Sequence, residues 1–160
     1  MRLIRGEIPF KVLFSCFLAW MLVLMPLPEK LKWIRPEWVT LVLIYWTFKK
    51  PKMVGLFTGW WVGLIMDILQ GTLLGQHALA MVLVVYFAHK LHHRLRAFTP
   101  LQQALVVLVL VGIGQLCLAL VQWQIGSPPK GMLYWGSTLT SVLIWPVLSH
   151  FLNYYERKAH

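Results

Sequence analysis

A chain of 160 residues is one domain's worth of sequence. Its 59% hydrophobic content beside 12% charged residues excludes an ordinary soluble globular protein. The formal charge of +10 would suit nucleic acid, but the basic residues fall in short clusters between apolar runs and leave no soluble basic face to build on.

The first apolar run covers about 10–27, after a start carrying Arg2 and Arg5. Lys11 lies at its entrance and Pro26 and Pro28 stop it. It ends without a small-x-small cleavage site and further runs follow, so it reads as a mature membrane helix and not as a cleaved signal. The polar connector Glu29 to Arg35 carries Trp33 where an interfacial anchor would sit. The second run, about 36–48, opens on Pro36 and Glu37, which suit a first helical turn. At about 13 residues it is shorter than a bilayer crossing requires. It either crosses with help from Trp38 and Trp46 or is re-entrant, and the charge pattern favours crossing.

After the basic turn Lys49-Lys50-Pro51-Lys52 comes the third run, about 53–70, and after an uncharged connection the fourth, about 72–91. Gly55, Gly59, Gly63, Asp67, Gly71 and Gly75 fall on one four-residue beat across this stretch. Residues four apart lie roughly on one helix face and, when small, admit a close partner helix. The beat drifts by about 40° per step, so one helix cannot carry it to Gly75 and is expected to end near Gly71. The connector from His89 to Arg96 is the most basic on the chain. The fifth run, about 101–125, is interrupted by Gly112, Gly114 and Gln115; the sixth, about 132–154, contains Pro146 and ends in a basic tail. The expected architecture is one all-α polytopic membrane domain over 1–160, with six transmembrane helices. With both termini inside, eleven Lys and Arg lie on the inner side and four (Lys30, Lys32, Arg35 and Lys130) outside, so the positive-inside rule selects N-in, C-in.

Asp67 is the only acidic residue deep in a run, about 22 Å along its helix from Lys52. Burial and the nearby helix C-terminus both disfavour its charge, so it needs a compensating group. His77 or the backbone N–H groups around Gly71 to Gly75 are the candidates. The readings left open are a structural cap for the hairpin, a partner or ligand contact, and a proton relay. His89, His92 and His93 have helical spacing for a metal, but Lys90, Arg94 and Arg96 would repel a cation, and a basic segment touching anionic headgroups is the better reading. Arg35 beside Pro36 reads as an interfacial charge or a contact for a partner. Cys16 and Cys117 lack metal or disulfide spacing and read as small buried hydrophobes. Ser15, Ser137, Thr138 and Ser141 have no acid–base partner in sequence; Gly136, Thr140 and Ile144 read as a packing stripe. With no paired carboxylates and no phosphate-binding loop, an enzyme is not expected, nor is a cofactor or metal.

The entry Arg35-Pro36-Glu37-Trp38 with the following run to Leu43-Ile44-Tyr45-Trp46, the block from Gly59 to Ala80 and the later Trp145-Pro146 resemble the family of rod shape-determining membrane proteins called MreD. The likeness extends over nearly the whole chain, and its specific core is Asp67, Gly71, Gly75 and Ala78. It implies a multi-pass bacterial inner-membrane protein of the cell-elongation machinery, a non-enzymatic scaffold helping to control lateral peptidoglycan synthesis. The implied partners are MreC, through its transmembrane helix, and beyond it MreB, RodZ, RodA, the elongation-specific penicillin-binding transpeptidase and membrane lipids. The implied fold is similar to the substrate-binding subunits of energy-coupling-factor transporters. The expected partner-binding or structural residues are Arg35, Pro36, Gly55, Gly59, Gly63, Asp67, Gly71, Gly75 and His77, with Gly55, Gly59 and Gly63 as the face docking MreC. The competing reading is a small-molecule-binding transporter subunit using Asp67, Gln70, Gln76, His77 and Gln115.

Overall fold

A computed structural model describes residues 10–25, 28, 37–50, 54–71, 74–126 and 135–158. These form six helices and no strand: α1 (Phe10–Leu24), α2 (Trp38–Lys49), α3 (Leu56–Gln70), α4 (Gln76–Arg96), α5 (Pro100–Gln124) and α6 (Gly136–Lys158). Arg35 and Pro36, with the connectors around them and the Gly-Ser-Pro-Pro-Lys-Gly turn from Ser127 onward, lie outside the described residues.

The bundle is organised around α2, the shortest helix among the described residues. All of Val39 to Phe48 is buried, every consecutive residue of α2 over nearly three turns. An all-round apolar helix is what a core position requires. Neighbours α1, α4, α5 and α6 surround it. Its 12 residues reach only about 18 Å. That short length is tolerable because its walls are protein and not hydrocarbon. The expectation that Trp38 and Trp46 flank the run and help it to cross is corrected here. Trp46 is fully buried, in edge contact with Tyr45 at 5.2 Å between ring centroids, and Trp38 packs on the core. Trp145, from the Trp145-Pro146 step of α6, closes over the same cluster, 6.1 Å from Phe48.

The exterior is the reverse. Leu101, Leu105, Val109, Leu116 and Leu120 on α5 are half to three-quarters exposed, as are Leu139, Leu143, Val147 and Phe151 on α6. Leu101–Gln124 is long and apolar enough to cross a membrane; α1, α2 and α3 are apolar but shorter than 18 residues. α4 and α6 have 21 and 23 residues, with polar and basic residues diluting their ends.

Several boundaries depart from the sequence reading: α3 starts at Leu56 and not at about 53, α6 continues to Lys158 and not to about 154, and α4 is displaced at both ends. α4 begins at Gln76, four residues later than expected, because Leu74 and Gly75 form a turn. It then runs through the basic segment to Arg96 instead of stopping at Leu91. Lys, Arg, His and Leu between His89 and Arg96 include no helix breaker, and cations suit a helix C-terminus. What was expected to be a loop is therefore the last two turns of a helix. α5 starts with a reciprocal cap, Gln102 N–H to Thr99 Oγ1 at 3.4 Å and Thr99 N–H to Gln102 Oε1 at 3.0 Å, with Pro100 in the first turn.

Candidate functional site

Gly71 ends α3 by adopting the left-handed conformation, φ 68°, with its N–H turned back to the Ile68 carbonyl at 3.4 Å. The chain reverses and enters α4 through Gly75, φ 98°. A glycine at a helix start has no side chain to cap the first N–H groups. Asp67 supplies the missing group from one turn back on α3. Its Oδ2 accepts the Gly75 N–H at 2.9 Å, and its Oδ1 accepts the His77 N–H at 2.9 Å. The same Oδ1 lies 2.7 Å from His77 Nδ1, which donates to it. Asp67 is completely buried and His77 nearly so. The carboxylate thus sits close to the unfavourable end of its own helix but directly on the favourable, positive end of the next.

Close helix approach makes this geometry possible. A Cβ on Gly63 would stand 2.4 Å from the Ala78 Cα, 2.5 Å from its N and 2.6 Å from the His77 carbonyl oxygen. A Cβ on Gly59 would meet Val85 Cγ2 at 2.9 Å and the Met81 carbonyl at 3.2 Å. Gly59 and Gly63 are both buried, and α3 packs more extensively on α4 than any other two helices pack. The face expected to dock a separate protein is therefore occupied by the chain's own α4. Gly55 stands apart: it starts α3, its N–H donates to Thr58 Oγ1 at 3.4 Å, and there is open space around its Cα.

Of the residues singled out from sequence, the structure brings Gly63, Asp67, Gly75 and His77 to one hairpin, with Gly71 at its turn. Gly55 and Gly59 lie toward the other end of α3. In the wider polar set, Gln76, His77 and Gln115 are buried while Gln70 is exposed. Glu37, Thr40 and Gln115 line an interior cavity whose free volume is about 10 Å³. That is room for about one water molecule, far below the ~300 Å³ at which small-molecule pockets begin.

Sequence reasoning missed the tie between α2 and α6. The Glu37 N–H, at the start of α2, donates to Ser141 Oγ at 2.9 Å, and that hydroxyl donates to the Ser137 carbonyl at 2.7 Å. Tyr45 OH donates to Asn153 Oδ1 at 2.7 Å on the same pair of helices. The buried residues of α6 are Ser137, Thr138, Ser141, Trp145, Ser149 and Leu152; of the expected stripe, Gly136 and Thr140 are half-buried and Ile144 packs against the core. A signal was present: Ser137, Ser141, Trp145 and Ser149 also recur every four residues. Ser141→Ala is expected to destabilise the fold by about 1–3 kcal/mol, because the Glu37 N–H would be left without its acceptor. Thermal unfolding of the detergent-solubilised protein measures this, and an unchanged midpoint would show that the tie contributes nothing.

The histidines of the basic segment also have local structural duties. His89 Nε2 donates to the Val54 carbonyl, pinning the α2–α3 connection to α4, and His92 Nδ1 donates to the His89 carbonyl.

Together these features describe an all-helical protein with an apolar exterior, whose buried polar side chains tie helix to helix. Comparison with known proteins places it more narrowly. Residues 5–155 match the family of rod shape-determining protein MreD, and the chain belongs to that family. It is similar to the rod shape-determining protein MreD of Haemophilus influenzae, 30% identical over 153 residues, which cover 94% of this chain and 93% of the relative. No solved structure matches, so the likeness to energy-coupling-factor subunits has no structural counterpart behind it.

Proposed function

We propose that this protein is a multi-pass inner-membrane scaffold that takes part in rod-shape determination, without enzymatic activity of its own. Membership of the MreD family over residues 5–155 is the observation that carries this reading. The fold supports it in two ways. Large apolar side chains cover the outside of α1, α3, α5 and α6, as contact with hydrocarbon demands. The buried Asp67 carboxylate is held by His77 Nδ1 and by two backbone donors, which suits architecture better than proton transfer or substrate binding. In this reading the six helices cross with both termini inside, and lateral peptidoglycan synthesis is influenced through partners.

MreC is the proposed direct partner, with MreB, RodZ, RodA and the elongation-specific transpeptidase in the wider assembly. Since α4 fills the Gly59–Gly63 face, the docking surface for the MreC transmembrane helix moves elsewhere. The groove between α1 and α6 suits it: Leu18, Leu22, Phe151 and Leu152 form its walls, Trp38 and Val42 its floor, and its free volume is about 230 Å³.

Photocrosslinkers placed at Leu18 and Phe151 are expected to capture MreC in native membranes, while one at Trp60 on the far side of α3 is expected not to. Capture from Trp60 alone would remove the groove assignment. Absence of MreC from affinity-purified membranes would remove the partner itself.

A further inference from the structure

The end of the bundle opposite the Asp67 hairpin carries an open depression between the start of α3 and the last turns of α4. Gly55 and Leu56 form one side and Tyr86, His89 and Lys90 the other, around a free volume of about 420 Å³. Two observations point to its occupant. The first is charge. Lys90 Nζ stands 4.6 Å from the Tyr86 ring centroid, a cation–π contact that holds the ammonium at the mouth. His93 and Arg94 are exposed one turn further on, and no Asp or Glu occurs on α3 or α4 apart from the buried Asp67. The second is the surface immediately beyond Leu56. Phe57, Trp60 and Trp61 form an exposed aromatic cluster with centroids 5.2 to 6.2 Å apart. A cationic rim continuous with an aromatic and aliphatic flank matches a molecule that is anionic at one end and hydrocarbon at the other.

We propose that this depression is a binding site for an anionic phospholipid, its phosphate beside Lys90 and its acyl chains along Leu56, Phe57 and Trp60. His89 shapes the site without contacting the phosphate, because its Nε2–H is already given to the Val54 carbonyl. That bond keeps the α3 start and the α4 end at a fixed separation, so the site is preformed. By the positive-inside count the lipid belongs to the inner leaflet, where partner proteins of the elongation machinery would meet it.

The inference rests on the membrane reading, which resistance of the protein to alkaline carbonate extraction tests separately. Native mass spectrometry of the detergent-purified protein, titrated with phosphatidylglycerol and with phosphatidylcholine of the same acyl chains, tests the site. Phosphatidylglycerol is expected to bind more tightly. Lys90→Gln, a change at an exposed side chain, is expected to weaken it about five-fold. Lys49→Gln, at the same end but outside the depression, is expected to change it less than two-fold. Equal binding of the two lipids would overturn the proposal. So would an equal loss in the Lys49 variant, or full competition by glycerol phosphate at the lipid's own concentration.

Discussion

Asp67→Leu is expected to be the most damaging single substitution in the chain. The leucine would leave the Gly75 and His77 N–H groups and His77 Nδ1 facing hydrocarbon, at the start of a helix with no side chain of its own to cap it. Removing one member of a buried, hydrogen-bonded pair costs about 3–5 kcal/mol. For a protein of this size that shifts the unfolding midpoint by on the order of 10 °C. Asp67→Asn is expected to do less. The amide keeps one acceptor oxygen, but its NH₂ must then point at an N–H donor, a loss of about 1.5–3 kcal/mol. His77→Ala should fall between wild type and Asp67→Leu, since the carboxylate keeps both backbone donors. A double-mutant cycle between the two positions measures the side-chain part alone. Strict additivity would mean that Asp67 acts only as a backbone cap. Normal accumulation and an unshifted midpoint for Asp67→Leu would mean that the hairpin does not depend on it at all.

Gly63→Ala is expected to follow closely. One methyl group would overlap the Ala78 backbone at 2.4 Å, and backbone cannot rotate away as a side chain can. The two helices would have to separate, which would also stretch the bonds from Asp67 to His77, itself part of the clash, and to Gly75. Overpacking costs typically about 1–3 kcal/mol, and the upper end applies where main chain is struck. The series Gly63→Ala, Gly59→Ala, Gly55→Ala should decline in that order. At Gly59 the nearest atom is a movable Val85 methyl, and at Gly55 nothing lies within 4 Å. Ala78→Gly is expected not to rescue Gly63→Ala, because the clash is with the Ala78 Cα and N and not with its methyl. Rescue, or an equal effect at all three glycines, would show that α3 and α4 do not meet as described. Thermal melts of the three single glycine variants and of the Gly63→Ala, Ala78→Gly double variant in one detergent decide the matter.

Much of this was legible from composition and spacing. The apolar runs located six helices, and Gly71 stops α3 where the drift of the glycine beat requires. The need of Asp67 for a nearby donor followed from its burial in an apolar run and its place near a helix end. These are local properties, carried by neighbouring residues and by general costs of charge and backbone in an apolar setting. The resemblance in the Gly59–Ala80 block placed the chain in its family.

Which surface each helix turns inward was beyond the sequence. Gly59 and Gly63 are equally suited to a partner helix and to the next helix of the same chain; only the tertiary arrangement assigns them to α4. Trp46 reads as a flanking residue that helps a short run to cross until α2 is seen surrounded by four other helices, because an all-apolar run has nothing to mark an exposed side. The bond from Glu37 to Ser141 joins residues 104 apart in the chain, beyond the reach of any periodicity. The sequence by itself determined that this protein is helical and apolar, that it breaks at Gly71, and that it carries one acid in need of a partner. The tertiary structure alone decided that the acid caps the next helix, that the glycine face is filled from within, and that α2 lies at the centre. Spacing along a chain reports which residues share a face, and only packing reports what that face meets.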